Sequence, residues 1–381
     1  MKNNGTIVFV TGSKTLTGAD FSMISFIKKL KKENYDVVVL INGEGRTTDY
    51  YRKNNINYMV VPFKTWYYHN NNKILSFILK FYKNIYNIFS AMFFSIKFKN
   101  LKNVKLIYNN GFTNNFSYYL SIFNNKKLLY HMREFGDLDF GWNFVAKNKI
   151  VQYNKIEHKV DLFIAISEAV KESFDGVNNY NKISVVYNGV EVKNNEKKTH
   201  DNNIIKIVIV GRLSKEKGHI VLLNAMKELI DKKFNNIVLD IYGDGEEKEN
   251  ILSFISSNGL QKYVYLKGFK SDINLSDYDI GIMASVAEAF GRVTVEYMMS
   301  GLVTIAADSG ANPEIINNYE NGLLFSQGNA FDLANKIIDV VSNKNLMKKI
   351  KINGQKTARE KFSESNYVNN LFKLLKSKCL I

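Results

Sequence analysis

The 381-residue chain is long enough for two domains, and its 45% apolar and 23% charged residues are typical of a globular protein. The single cysteine, Cys379, excludes a disulfide framework and a cysteine-based zinc site. The net charge of +16 is uneven, because the interval between Asp49 and Glu134 contains thirteen basic residues and no acidic one. This one-sided charge favours an anionic partner: membrane lipid, nucleic acid or a phosphorylated substrate.

The first half of the chain alternates predicted strands with a predicted helix. The apolar run at 6–10, a loop with two glycines, helical spacing over 20–32 and the apolar run at 37–41 predict a βαβ unit, and therefore a parallel sheet. We expect further strands at 58–61, 106–108, 127–130, 162–166 and 183–186. The first apolar run is too short for the core of a signal peptide, so we expect the protein to stay in the cytoplasm.

Residues 73–99 combine basic, apolar and aromatic residues with a helical period. A narrow polar stripe recurs at Ser76, Lys80, Lys83, Asn87 and Ser90. No apolar run approaches the roughly 18 residues needed to span a bilayer. Two interpretations remain open: a core helix of the first domain with one wet edge, or a helix lying on an anionic membrane at the inner face of the cell membrane. Nucleic acid is disfavoured, because no binding motif accompanies the charge.

The second half of the chain repeats the α/β alternation after a polar, charged segment at 192–203 that is typical of a linker. A strand at 205–210 and a helix at 219–232 are followed by predicted strands at 237–242, 264–266, 280–283 and 303–306. We therefore predict two doubly wound Rossmann-like domains, which bind ligands at the carboxyl edges of their strands and face a central cleft. The predicted divisions are 1–187, 188–361 and a last helix within 362–381 that can pack back on the first domain.

The segment from Glu288 to Glu296 carries the strongest chemical signal. Glu288 follows the apolar strand at 280–283, and Glu296 lies about one turn into the next helix. The N-terminus of that helix offers free N–H groups to a diphosphate, and Gly291 permits close approach of the backbone. The two carboxylates could then hold hydroxyls of a sugar and of a ribose. On spacing alone, two glutamates on the first turn of an ordinary helix are the favoured explanation of the pattern.

Basic residues and glycines follow two other predicted strands of the second half. Arg212 and Lys217 come after the strand at 205–210, beside Gly211 and Gly218, and are suited to bind phosphate. The turn at 241–245 is interpreted as structural. Residues 309–316 follow the strand at 303–306 and reach the same edge of the predicted sheet.

These segments, in this order, resemble the nucleotide-binding half of the family 4 retaining GT-B glycosyltransferases. The stretch 288–316 is especially similar to bacterial enzymes that build O-antigen, capsule or lipopolysaccharide. The similarity covers nearly the whole second domain. In the first domain it is thinner and rests on the short stretches 17–19, 131–136, 164–167 and 188–190.

The resemblance implies a role for each matching residue. Arg212 and Lys217 would bind the donor diphosphate, Glu288 the hydroxyls of the donor sugar and Glu296 the ribose. The N–H groups around Phe290, Gly291 and Arg292 would complete the phosphate site. In the first domain, Gly18 would let the backbone approach the donor phosphate, and His131 would contact the sugar near the reacting carbon. No metal and no further cofactor are implied.

Three other patterns suggest different chemistry. Asp137 and Asp139 match the short DxD pattern of metal-dependent GT-A transferases, but nothing around them resembles that fold. His131 and Glu134 could be metal ligands, but no third ligand suggests itself. The loop at 12–18 lacks the Gly-Lys-Ser/Thr ending of a phosphate loop, which disfavours a nucleotide triphosphatase.

The sequence therefore predicts a retaining, metal-independent hexosyltransferase of surface polysaccharide biosynthesis. Its expected donor is a nucleotide-diphosphate sugar, with UDP preferred over GDP, and its expected acceptor is a lipid-linked glycan at an anionic membrane surface. Two alternatives stay open: a sugar-nucleotide 2-epimerase of the GT-B fold, and a catalytically silent scaffold subunit at the membrane.

Overall fold

A computed structural model describes residues 3–12, 14–68, 73–144, 146, 148–191 and 204–381. The chain divides into two compact units. The first comprises Met1–Asn188 together with Tyr367–Ile381, and the second comprises Gly189–Asn366. The predicted linker at 192–203 lies outside the described residues.

The first domain is a parallel sheet flanked by helices. Its strands are β1 (Thr6–Thr11), β2 (Asp36–Ile41), β3 (Tyr58–Val60), β4 (Tyr67–Tyr68), β5 (Val104–Asn110), β6 (Lys127–Met132), β7 (Asn143–Phe144), β8 (Leu162–Ala165) and β9 (Ile183–Val185). Its helices are α1 (Gly18–Lys32), α2 (Arg46–Lys53), α3 (Lys73–Phe98), α4 (Phe116–Asn124), α5 (Asp137–Phe140), α6 (Lys149–Ile156) and α7 (Glu168–Glu172). The strand order is β3-β2-β1-β5-β6-β8-β9, while β4 and β7 form a separate antiparallel pair.

The core of the first domain includes the end of the chain. The central strand β1 is buried along its whole length, as expected for a parallel strand covered on both faces. Five apolar residues of the last helix pack into the same cluster: Tyr367, Val368, Leu371, Phe372 and Leu375. The last helix thus supplies part of the hydrophobic core of a domain that begins more than 300 residues earlier.

The second domain repeats this architecture. Its strands are β10 (Ile205–Val210), β11 (Ile237–Tyr242), β12 (Val264–Gly268), β13 (Ile280–Met283), β14 (Val303–Ala307) and β15 (Leu323–Phe325). Its helices are α8 (His219–Asp231), α9 (Lys248–Ser257), α10 (Arg292–Met299), α11 (Asn312–Ile315), α12 (Ala330–Ser342) and α13 (Lys344–Lys361), and α14 (Glu364–Ser377) follows. The strand order β12-β11-β10-β13-β14-β15 reverses direction between β10 and β13. In open α/β sheets, ligands bind beyond the carboxyl ends of strands at such a switch point.

The doubly wound α/β architecture predicted from the sequence is confirmed. Strands β10, β11 and β13 have the predicted bounds, because each is a mainly apolar run. The other predicted strands differ from prediction by one or two residues at an end, and β4, β7 and β15 were not predicted. Strand β5, for example, extends to Asn110 because its polar last residues continue the ladder with β6.

Candidate functional site

Three loops meet at the carboxyl edge of the second sheet. They follow β10, β13 and β14, the strands on either side of the switch point and the next strand along. The Val286 N–H donates to the Glu216 carbonyl at 2.8 Å, which joins the first loop to the second. The Ala311 N–H donates to the Glu288 carbonyl at 2.8 Å, which joins the second loop to the third. These bonds fix the backbone that carries Lys217 and Glu288.

Two glycines let these loops approach one another closely. Gly218 has φ +68°, and a Cβ there would lie 2.1 Å from the Ala284 carbonyl oxygen. Gly310 has φ +55°, and a Cβ there would lie 2.5 Å from the Glu288 carbonyl oxygen. Any other residue would be strained in this conformation and would also push the loops apart. The glycines therefore position Glu288 as well as permitting the turns.

Lys217 and Glu288 form an ion pair at this edge. The Lys217 Nζ donates to the Glu288 Oε2 at 2.9 Å, and the two side chains are 34% and 18% exposed. The pair lies just beyond the carboxyl ends of β10 and β13, where the topology predicts a ligand. A cation that can bind phosphate and a carboxylate that can accept hydroxyl hydrogen bonds are thus in direct contact.

Helix α10 begins beside this pair. Gly291 caps the helix with φ +80°, and Phe290 is buried against Phe362 with ring centroids 5.9 Å apart. The Arg292 Nε donates to the Glu296 Oε1 at 3.0 Å, one helical turn further along. The free N–H groups of a helix N-terminus favour an anion at this position.

Arg212 lies at the outer side of the same edge. Its guanidinium contacts the Glu246 carboxylate at 2.9 Å, and both side chains are more than half exposed. Sequence reasoning missed Glu246, although it directly follows the turn at 243–245. That turn packs on the Arg212 loop so closely that a Cβ at Gly243 would lie 1.8 Å from the Gly211 carbonyl oxygen. Both predicted phosphate-binding side chains, Arg212 and Lys217, therefore have a carboxylate partner, as does the Arg292 side chain at the start of α10.

Tyr297 fixes helix α10 to the sheet. Its side chain is fully buried, and its hydroxyl accepts a hydrogen bond of 2.8 Å from the Val210 N–H at the end of β10. Its ring occupies the space above Gly281 in β13, where any Cβ would clash. The structure thus gives Tyr297 an anchoring role that spacing could not reveal.

In the first domain, His131 is buried within β6 rather than exposed at its end. Its Nδ1 contacts the Tyr108 hydroxyl, and its Nε2 has no hydrogen-bond partner in the described structure. Burial, with a smaller contribution from the Arg133 charge, lowers the pKa of His131 well below its usual value. His131 is therefore neutral at pH 7. Gly18 is exposed as the first residue of α1, which starts two strands away from β6 in the sheet.

A half-buried carboxyl lies three residues after His131. The Glu134 Oε1 accepts a hydrogen bond of 3.1 Å from the Phe112 N–H. Burial, together with the negative charge of Asp139, raises the pKa of Glu134 to about 8. Among the described residues, no group of three or more His, Cys, Asp or Glu side chains is placed to hold a metal ion. The two aspartates of the DxD pattern have local partners: Asp139 accepts from the Phe135 and Gly136 N–H groups, and Asp137 pairs with Lys149 at 2.7 Å.

Helix α3 confirms the helix predicted at 73–99 and combines features of both interpretations. One side contributes buried residues, including Ala91 and Phe98, while Phe81, Phe93 and Ile96 are more than two-thirds exposed. Lys83 points back to the domain and donates to the Tyr67 carbonyl at 2.6 Å. The side chain of Lys80 lies outside the described part of the chain. No helix in that described part is long and apolar enough to cross a bilayer.

Comparison with known proteins identifies the family of the second domain. Residues 191–357 match the family model described as glycosyl transferases group 1. The second domain belongs to the group 1 glycosyl transferases. A protein from the cps region of Klebsiella pneumoniae is 30% identical over 209 residues, which cover 52% of this chain and 56% of that protein.

Two further proteins extend the comparison beyond the second domain. The poly(ribitol-phosphate) alpha-N-acetylglucosaminyltransferase of Staphylococcus aureus is 27% identical over 65% of this chain and 50% of that enzyme. The chain thus spans about half the length of the curated relatives it matches. The crystal structure of Anabaena HepE with UDP and glucose superposes with a TM-score of 0.77 at 21% identity, covering 97% of this chain and 99% of that one. This likeness shows that the chain has the GT-B fold.

Proposed function

We propose that this protein transfers a hexose-type sugar from a UDP-sugar donor to a growing glycan, with retention of the anomeric configuration. The glycan belongs to a cell-surface polysaccharide that is being synthesised. The observation that carries the proposal is the Lys217–Glu288 pair. It joins a phosphate-binding cation to a hydroxyl-binding carboxylate at the switch point of a group 1 glycosyl transferase domain.

The chemistry follows from what each side chain can hold. Lys217, Arg212 and the N-terminus of α10 neutralise charge that develops on the leaving diphosphate as the sugar C1–O bond breaks. Glu288 accepts hydrogen bonds from the donor sugar, and Glu296 accepts from the ribose. The predicted contact of His131 with the sugar requires its buried imidazole, which is neutral, to become accessible. Since cations and a helix terminus supply the positive charge, the proposed reaction needs no metal.

The ion pairs of the free protein add a step to donor binding. Lys217, Arg292 and Arg212 each contact a carboxylate at 2.9–3.0 Å. A diphosphate must therefore compete with Glu288, Glu296 and Glu246 for these cations. We infer that the donor redistributes the pairs, so that Glu288 turns to the sugar when Lys217 turns to the phosphate.

The acceptor in this proposal is a lipid-linked glycan at an anionic membrane surface. The acid-free interval from Asp49 to Glu134 and the exposed aromatic side chains of α3 support it. The names of two relatives are consistent with a polymeric acceptor. The Staphylococcus enzyme is named for poly(ribitol-phosphate), and the Klebsiella protein comes from a cps region.

The test is a panel of nucleotide sugars with purified protein and lipid-linked acceptors, in buffer with and without EDTA. Mass spectrometry identifies the transferred sugar, and the anomeric NMR signal reports the stereochemistry. Transfer with retention, unaffected by EDTA, is expected. Conversion of the nucleotide sugar without an acceptor would indicate an epimerase, and tight UDP binding with no turnover on any donor would indicate a scaffold.

A further inference from the structure

An apolar groove of about 730 Å³ lies between α3 and the segment that leaves β3. Its walls include Met59, Val61, Ile85, Phe89, Phe93 and Ile96. The side chains of Phe89, Phe93 and Ile96 are 53%, 68% and 69% exposed. Large apolar side chains left in contact with water around a concave surface mark a binding site.

Hydrogen bonds hold the two walls in place. The Asn87 side chain is buried and bonds both the N–H and the carbonyl of Lys64, at 2.7 and 2.8 Å. One helical turn later, the Ser90 hydroxyl donates to the Pro62 carbonyl. The segment therefore runs antiparallel to α3 along a fixed line. These hydrogen bonds fix the spacing of the two walls of the groove.

Two lysines, Lys64 and Lys83, lie beside one end of the groove, and a single lysine, Lys97, lines the other. The Lys64 Nζ lies 5.0 Å from the centre of the Tyr86 ring, which lines the groove. Lys83 is close to Lys64, and burial together with this neighbouring charge lowers the pKa of Lys83. Because no acidic residue occurs between Asp49 and Glu134, an anion is the partner that this end of the groove favours.

We propose that the groove binds the hydrocarbon chain of a single anionic lipid, with its phosphate against Lys64 and Lys83. Lys64 follows the carboxyl end of β3, the edge of the sheet at which α/β domains bind ligands. The chain runs from there towards Lys97, which lies fifteen residues after Tyr82 and so about 22 Å along the helix. The role of this lipid as the carrier of the acceptor glycan rests on the proposed function.

The test is calorimetric binding of alkyl phosphates of increasing chain length, each below its micelle concentration, to the full protein. Every methylene that enters the groove strengthens binding by roughly fourfold. The affinity should then level off when the groove is full. An alkanol of the same length should bind more weakly, because it lacks the phosphate. Affinity that is independent of chain length, or equal for alkanol and alkyl phosphate, would overturn the proposal.

Matched variants locate the binding site. Phe93→Asp places a charge in the groove wall and should weaken binding of the longest alkyl phosphate at least tenfold. Phe269→Asp alters an exposed phenylalanine of the second domain, 75% accessible, and should leave binding unchanged. Equal affinities for the two variants would refute the assignment. If Phe93→Asp does not fold, the chain-length series on the wild-type protein still decides.

A second copy of the chain is the competing occupant of this surface. Light scattering of the wild type and of Phe93→Asp separates the two cases. A dimer that Phe93→Asp converts to a monomer would identify the groove as a subunit interface and overturn the lipid assignment. The alkyl phosphate binding series requires no nucleotide sugar, so the two proposals can fail separately. If alkyl phosphates do not bind, transfer to a soluble acceptor should still be observed. If no transfer is observed, alkyl phosphate binding should be unchanged.

Discussion

Glu288→Gln removes one negative charge from the second domain and keeps the shape of the side chain. In the free protein this carboxylate contacts the Lys217 Nζ at 2.9 Å with 18% of its side chain exposed. The glutamine retains one oxygen that can accept a hydrogen bond from a sugar hydroxyl. The substitution therefore tests the charge of Glu288, separately from its position.

The magnitude follows from the two kinds of hydrogen bond. A bond to a charged group contributes about 1.5–3 kcal/mol, and a neutral one about 0.5–1.5 kcal/mol. The difference of about 1–1.5 kcal/mol corresponds to a decrease in transfer rate of roughly tenfold, provided that the bond strengthens in the transition state. Folding stability should change by less than about 1 kcal/mol, because Lys217 is one-third exposed and water can solvate it.

Two ligands distinguish the sugar from the nucleotide. UDP alone has no hexose for Glu288 to hold, and the substitution releases Lys217 from its pair. UDP should therefore bind Glu288→Gln as well as the wild type, or slightly better. Glu296→Gln should weaken the binding of UDP, since the lost charge faces the ribose in the proposed arrangement.

The assay measures transfer at saturating donor by mass spectrometry and UDP affinity by calorimetry, for both variants. Wild-type transfer by Glu288→Gln would refute the role of its charge. If both variants lost transfer rate and UDP affinity in the same proportion, Glu288 and Glu296 would not bind separate parts of the donor.

Three further predictions address other residues. Arg212→Ala and Lys217→Ala should each weaken UDP binding by about tenfold or more and slow transfer, since each removes a charged contact to the diphosphate; unchanged affinity in both would remove these residues from the site. Glu246→Gln should tighten UDP binding by less than about tenfold, as Arg212 loses an exposed competitor; weaker binding would contradict the competition between carboxylate and phosphate. Because the pKa of Glu134 is raised to about 8, the folded state holds its proton more firmly than the unfolded chain, so stability falls as pH rises from about 4.5 through 8. Glu134→Gln should reduce this pH-dependent loss of folding stability by about 1–3 kcal/mol, a value that allows for a half-buried side chain. Melting curves at pH 5 and pH 9 measure the effect, and the same pH dependence in the variant and the wild type would contradict it.

Local patterns predicted the elements that depend on local sequence. The strands β10 and β13 follow from mainly apolar runs, and the start of the next helix follows from Gly291. The same patterns brought Lys217 and Glu288 to one edge of the sheet, because both follow strands whose carboxyl ends lie side by side.

Contacts between distant residues were beyond that reasoning. The partner of Arg212 is Glu246, 34 residues away, and only the close packing of two turns brings them together. The burial of His131 depends on neighbouring strands and on the ring of Tyr108, so its neutral state could not be read from its position after an apolar run. The apolar groove likewise needs β3 and α3 side by side, and the periodicity of α3 alone shows only that one face is apolar.

The position of the last helix has a consequence for how the protein is made. The core cluster of the first domain contains Leu371, Phe372 and Leu375, which leave the ribosome only after the whole of the second domain. Until then, the surface of the first sheet that these residues cover is exposed on the nascent chain. Synthesis from the N-terminus therefore leaves the first domain unfinished while the second can already complete its own core. The domain translated first should be the last to acquire its full stability.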